Sequence, residues 1–397
     1  APLDAPEVTP DASVRRRTPS GARVALAGAF IALLVATAML LRPAGTDDPI
    51  RRIAMLPLSG DASEQWLADG LADELTHALS RIEGLTLIAR ASAQRARDAD
   101  EDPVRMGRQL KVDALLEGRL RAVDQGHALM MRLVSARDGA VLWSHEDTYS
   151  EPELVASASQ IATRLGVRLS ARLRTTSVSQ PISGEAYATY LRARYQWNLR
   201  TAASLREARR LYEQVLATEP GFADAWAGLA ECWLLMPLYA SDAPFEAHPQ
   251  ARRAAERALA LDSAHSRALA VLGVVSSQFE WNWTAADDYF LRAIQLDPNN
   301  ATAQQWLAEA YCYRRRFEEC ARHMKEALAL DPLSPILATA SALHARFSGQ
   351  YEIARRNHEA VLKTYPTFSF AEYQLGLIAS AAEIGRASCR ERVFSSV

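Results

Sequence analysis

Residues Leu307–Pro332 read LAEAYCYRRRFEECARHMKEALALDP. Within this stretch Leu307, Ala308, Tyr311, Cys320, Met324, Ala327 and Pro332 fall at the spacing L-A-x2-Y-x8-C-x3-M-x2-A-x4-P. Small residues at such positions let two helices approach closely, and large ones fill the space between them. A proline past the second helix stops it and resets the next. The spacing therefore predicts a helical hairpin. The same order recurs upstream at Leu272, Gly273, Ala286, Phe290, Ala293 and Pro298. It recurs again at Trp226, Leu229, Ala230, Trp233, Ala251, Ala255 and Ala258, with a longer loop expected between Trp233 and Ala251. The first copy uses Leu191, Tyr195, Ala208, Tyr212, Val215 and Pro220, also with an inserted segment. Downstream, Pro332–Pro366 keeps the period with Ala354 and Val361, and Leu375-Gly376 opens a further copy. A single hairpin cannot bury its apolar face, so neighbours must stack into a superhelix with a concave groove.

Over 184–383 this pattern resembles the tetratricopeptide repeat, whose period of about 34 residues separates Pro298, Pro332 and Pro366. The resemblance implies protein or peptide binding in the groove rather than catalysis. By register the first helix of each repeat lines the inside. That points to Asp224, Glu231, Thr302, Gln305, Glu309 and His344 as candidate partner-groove residues, with plain solvated polar positions as the competing reading.

Towards the amino terminus, Val24–Leu41 reads VALAGAFIALLVATAMLL, without a charge. At 1.5 Å per residue a helix of this length covers roughly the hydrocarbon core of a bilayer, so a single transmembrane helix is expected over 24–41. A cleaved signal peptide and a buried core helix are the competing readings. Residues 1–23 hold Pro2, Pro6, Pro10 and Pro19 with few apolar side chains, and read as a disordered linker. Arg15, Arg16, Arg17 and Arg23 put the basic excess on the amino-terminal side. That orientation predicts an inner-membrane protein with a cytoplasmic amino terminus and its bulk in the periplasm.

Residues 51–175 read as a small α/β (α+β) domain in the order βαβαβββα. Ile53–Leu58 is a short apolar strand, and Trp66, Leu67, Leu71, Leu75, Ala78 and Leu79 form one face of a helix. Leu85–Ala89 is a second strand, Asp102–Leu110 a helix and Val112–Val123 a third strand. Ala128–Ser135 and Val141–Ser144 are joined by the hairpin signal Asp138-Gly139, and a helix carrying Leu154, Ile161 and Leu165 closes the unit. The segments RRIAMLPLSG, EQWLADGLADELTHALSRI, VDALLEGRLR and DGAVLWSHEDTY resemble the TolB-like domain. In bacterial membrane regulators that domain lies between a membrane helix and tetratricopeptide repeats. The resemblance implies a non-enzymatic sensory or docking module.

The chain has 397 residues, of which 49% are hydrophobic and 23% charged, and a net charge of −2. That length supports more than one core. The near-zero charge argues against a nucleic-acid clamp in these residues, since phosphate contacts need clustered Lys and Arg. The four cysteines show no metal-ligand spacing. Cys312 and Cys320 are close enough to meet but are read as unpaired buried thiols. There is no P-loop, no dinucleotide-binding glycine turn and no nucleophile elbow. His145-Glu146 lacks a second metalloprotease histidine and is read as a solvent-facing strand end. Arg314–Arg316 is read as a solvated turn, and Asn282 and Asn300 match the glycosylation pattern. Residues Ile384–Val393, IGRASCRERV, read as a translated sequencing adapter, so 384–397 is taken as a non-native tail.

The sequence is thus expected to be multidomain, with a transmembrane helix, a TolB-like α/β domain and an all-α tetratricopeptide superhelix. No cofactor or metal is expected. The expected partners are a protein or peptide in the groove and the inner membrane through Val24 to Leu41, with no nucleic acid touched by these residues and a homodimer left open. The expected function is non-enzymatic regulation, as part of a one-component winged-helix transcriptional regulator. The alternatives are the downstream region of a nucleotide cyclase or serine/threonine protein kinase, or an assembly scaffold.

Overall fold

The computed structural model describes residues 50–381 apart from 61–64, 81, 125, 170–182, 241, 367 and 369. Val24–Leu41 and Ala1–Arg23 lie outside the described residues, as does 384–397. Among the described residues no helix is long and apolar enough to cross a membrane.

The first part is a five-stranded sheet in the order β2-β1-β3-β4-β5. Its strands are β1 (Arg52–Met55), β2 (Thr86–Ile88), β3 (Ala114–Val123), β4 (Gly126–Ser135) and β5 (Val141–Tyr149). β1 pairs in parallel with β2 and β3, while β3, β4 and β5 form an antiparallel meander. Helices cover both faces because β1 is apolar on both sides. Ile53 and Met55 point into a core shared with α1 (Gln65–Ser80) and α4 (Glu151–Arg168). Ala54 and Leu56 point the other way, into a smaller core with α2 (Arg90–Ala99) and α3 (Pro103–Leu110). Helix α2 is absent from the expected order. Its buried face is Ser92, Ala93 and Ala96, small residues that leave no large-apolar periodicity. Strand β5 runs well past Ser144, so His145 sits within the strand rather than at its end. There it is half-buried, hydrogen-bonded to the Tyr149 hydroxyl at 2.9 Å and 3.1 Å from Arg164. Burial, then the Arg164 charge, lowers its pKa. Gly139, at φ +75°, makes the β4–β5 turn that Asp138-Gly139 announced.

The second part is a stack of helical hairpins. The pairs are α5 (Gly184–Asn198) with α6 (Ala202–Thr218), α7 (Ala223–Tyr239) with α8 (Pro244–Leu261), α9 (Ser266–Val274) with α10 (Trp283–Leu296), and α11 (Ala301–Tyr313) with α12 (Phe317–Leu330). A less regular unit follows, α13 (Pro335–Ala340), α14 (Leu343–Phe347) and α15 (Tyr351–Thr364). One continuous core runs through the stack. The close approaches are made at glycine. A Cβ on Gly228 would sit 2.3 Å from the Tyr212 ring, and one on Gly273 would sit 2.6 Å from Phe290. The expected long loop between Trp233 and Ala251 is instead mostly helix, because α7 runs on to Tyr239 and α8 begins at Pro244. Helix α9 is likewise prolonged, by a π-helical turn over Val275–Phe279. Three of the hairpin turns hold a non-glycine residue in the left-handed region, Arg200, Trp281 and Arg315, and a fourth holds Gly349.

Cys312 and Cys320 form a disulfide across the α11–α12 hairpin, which corrects the reading as free thiols. Cys320 takes an alanine-type position of the second helix and Cys312 follows Tyr311 on the first, and the hairpin brings their Cα atoms to 5.3 Å. Asn282 and Asn300 serve as helix N-caps, accepting from the amides of Ala285 and Ala303.

The two parts share a seam. The exposed-edge problem of a sheet is met here by the array, which covers β2. The Asn299 side chain accepts from the Leu87 amide at 3.0 Å and donates to the Leu85 carbonyl at 3.3 Å, as a neighbouring strand would. The Ala89 amide donates to the Leu330 carbonyl at 2.7 Å, and the Arg52 guanidinium to the Ala329 carbonyl at 2.7 Å. Ser92 bonds both Asp331 and the Leu333 amide, and Leu333 packs on the smaller core of the sheet domain. At the other end α1 lies on α5, where a Cβ on Gly70 would overlap Leu191.

Candidate functional site

The first helices of the repeats, α5, α7, α9 and α11, carry buried ionisable groups in two sets. In the first, Glu231 of α7 is 4% exposed. Arg267, on α9, grips it with two hydrogen bonds, Nε to Oε1 at 2.9 Å and NH2 to Oε2 at 2.6 Å. Arg194 of α5 stands 3.5 Å from the same carboxylate. Burial pushes the Glu231 pKa upward, but the charge and hydrogen bonds of Arg267, then Arg194 and Arg200, outweigh it and the net shift is downward. Asp224, about two turns earlier on α7, lies 3.2 Å from His265 Nε2 and 3.8 Å from Arg267. Tyr190 packs edge-on against Phe222 beneath this set, with ring centroids 4.9 Å apart. Arg200, in the α5–α6 turn, stacks on Trp197 at 3.8 Å, and its pKa is lowered chiefly by burial.

In the second set no cation pairs with the carboxyl among the described residues. Gln305 donates to Glu309 at 2.8 Å, and both are buried. Burial, opposed by that hydrogen bond, pushes the Glu309 pKa up to about 7. A carboxyl of this kind takes and gives a proton near neutrality.

The six residues singled out in the sequence therefore separate. Asp224 and Glu231 meet through Arg267, and Gln305 meets Glu309. Thr302 is half-buried at the start of α11 and joins neither set. His344 is elsewhere, edge-on to Phe317 at 4.9 Å and lining a cleft at the seam. The sequence reading missed Arg194 and Arg267, which supply the counter-charge. Their signal was present, because Arg267 lies 36 residues after Glu231, close to one repeat, so both charges occupy neighbouring first helices. Arg314, read as solvated, is held by Asp287 in a two-pronged pair at 2.9 and 2.6 Å and covers Trp283. Arg315 beside it is exposed.

Known proteins match both parts. Residues 50–163 match the family described as HilA/YgeH-like transcriptional regulator, second domain. Over 188 residues the chain is 30% identical to a Rhizobium meliloti (strain 1021) protein named "Putative adenylate cyclase 3", covering 45% of this chain and 32% of that one. Over 298 residues it is 22% identical to the transcriptional regulator HilA of Salmonella typhimurium, covering 74% of this chain and 53% of that one. The chain thus spans between a third and about half of the relatives it matches. Among solved structures, the tetratricopeptide protein TTC0263 of Thermus thermophilus aligns at 17% identity and a TM-score of 0.40, over 48% of this chain and 98% of that one. YrrB, described as a tetratricopeptide protein with an unusual peptide-binding site, aligns at 17% identity and a TM-score of 0.30, over 47% and 90%. The chain is similar in its sheet domain to the second domain of HilA/YgeH-like transcriptional regulators, and an array of helical hairpins follows that part.

Proposed function

We propose that this chain is the sensing and docking region of a single-span membrane regulator, in which the repeat array binds a protein or peptide partner and the output is control of transcription. The observation that carries the reading is the extent of the similarity to HilA. It spans 298 residues, through sheet domain and repeats together, and the seam joins those same parts by direct hydrogen bonds. A partner held on the first-helix face is then felt by the sheet domain. The TolB-like reading of 51–175, the membrane helix at Val24–Leu41 and the periplasmic placement of the bulk belong to this proposal. The Cys312–Cys320 disulfide supports that placement, since disulfides persist in oxidising compartments.

The similarity to the cyclase-named protein favours a second reading, in which the output is nucleotide cyclisation. The two separate on the gene sequence upstream of Ala1. A winged helix with a basic recognition helix is the expected finding. Metal-binding aspartates of a cyclase, or kinase motifs, would overturn the transcriptional reading. Placement is tested by acid-trapping and alkylating the native protein. Cys312 and Cys320 are expected to resist alkylation until reduced, and free alkylation of both would contradict the oxidising location.

A further inference from the structure

We propose that the cleft between the sheet domain and the α12–α14 segment is a binding site for a small amphipathic anion, a carboxylate carried on an apolar chain. The cleft encloses about 670 Å³, within the range that holds a small organic ligand. Its chemistry is divided. Three cationic side chains from three elements surround it, Arg52 of β1, Lys111 after α3 and Lys325 of α12. No carboxylate is found among the described residues that line it, and among the described residues none of the three cations makes an ion pair with one. The floor is apolar, with half-buried Leu328 lying over the buried Leu110 and Met324.

Each half of that division selects part of the ligand. Uncompensated cations at low ionic competition favour a negative head, most strongly one that accepts charge-assisted hydrogen bonds. The floor gains by covering apolar surface, which inorganic anions cannot do. Arg52 is held in place for this, since its guanidinium already donates to the carbonyls of Ala329 and Lys111 and so bridges the two parts. Lys111 is fixed at its backbone as the left-handed C-cap of α3. Because the walls come from both parts, a bound ligand would stabilise the docked arrangement, by linkage. This site is separate from the first-helix sets and stands whether or not the array binds a protein.

The test is photolabelling of the full chain in lipid nanodiscs with a diazirine-bearing decanoate, the modified residues being mapped by mass spectrometry. Label is expected on the peptides containing Met324, Leu328 and Leu110. Unlabelled decanoate should compete, while decylamine and inorganic phosphate should not. Labelling is expected to fall at least about tenfold in the Lys111→Glu/Lys325→Glu double variant, as for lost charge-assisted hydrogen bonds. Both lysines are exposed, so folding should be kept, and an unchanged melting curve checks it. Ala321→Trp, an exposed wall position, should block the cleft in the same way. Label confined to other residues, equal competition by decylamine, equal competition by phosphate, or full labelling of both variants would each overturn the proposal.

Discussion

Glu231 and Glu309 are both buried carboxyls on first helices, and their surroundings give them opposite behaviour. Glu231 is held charged by Arg267 and Arg194, so removing its charge leaves two partly buried cations without their carboxylate. Glu231→Gln is expected to cost about 3–5 kcal/mol, the range for breaking one side of a buried ion pair. Denaturant titration checks this, and a loss under about 1 kcal/mol would show that water already reaches the pair. At Glu309 burial instead favours the neutral form. Its pKa is about 7 in the folded chain against 4.5 for a free glutamate. Between those values the folded protein keeps a proton that the unfolded chain gives up. Its favourable contribution is therefore full below 4.5 and is lost as the pH rises through 7. Across that window stability should fall by on the order of 3 kcal/mol from this group. Glu309→Gln should remove that part of the slope, which paired melts of parent and variant at pH 4.5 and 7.5 would read. An unchanged slope would contradict the assignment.

At the scale of elements, the hairpins rest on where glycine is and is not used. Gly228→Ala places a methyl group against the Tyr212 ring and is expected to cost about 1–3 kcal/mol by overpacking. Arg315 is exposed at φ +59°, where a side chain only adds strain. Arg315→Gly is expected to be neutral to stabilising by up to about 1 kcal/mol. A thermal melt of each variant tests the pair, and stabilisation by Gly228→Ala would refute the packing argument. These hairpins were legible because packing two helices closely demands small and large residues at fixed spacing, as at Gly273 and Phe290. Helix α2 was not, since Ser92, Ala93 and Ala96 bury without an apolar stripe. A loop was expected between Trp233 and Ala251 because their separation exceeds the repeat spacing, and longer helices take up that excess. Pro237 sits in the last turn of α7 and Pro249 in the second turn of α8, where each ends or bends a helix rather than forbidding it.

For the whole molecule, the sheet domain and the array are joined by contacts that no local pattern announces. Asn299 bonds the backbone of β2 from 212 residues away, and Ser92 reaches Leu333 across 241. Side-chain-to-backbone bonds of this kind carry no periodicity, so the order of the two parts was readable and their docking was not. The first-helix sets and the separate seam cleft differ in the same way. The carboxyls could be picked by register, whereas Arg52, Lys111 and Lys325 converge only through the seam. That docking is also what would pass a signal between the array and the sheet. The most direct measurement is native-state hydrogen exchange at the Leu87 amide, in the parent and in Asn299→Ala. The account predicts strong protection in the parent and loss of it in the variant, with the Ala89 amide, bonded to Leu330, still protected. Fast exchange of Leu87 and Ala89 in the parent would show a free sheet edge and contradict the docked arrangement.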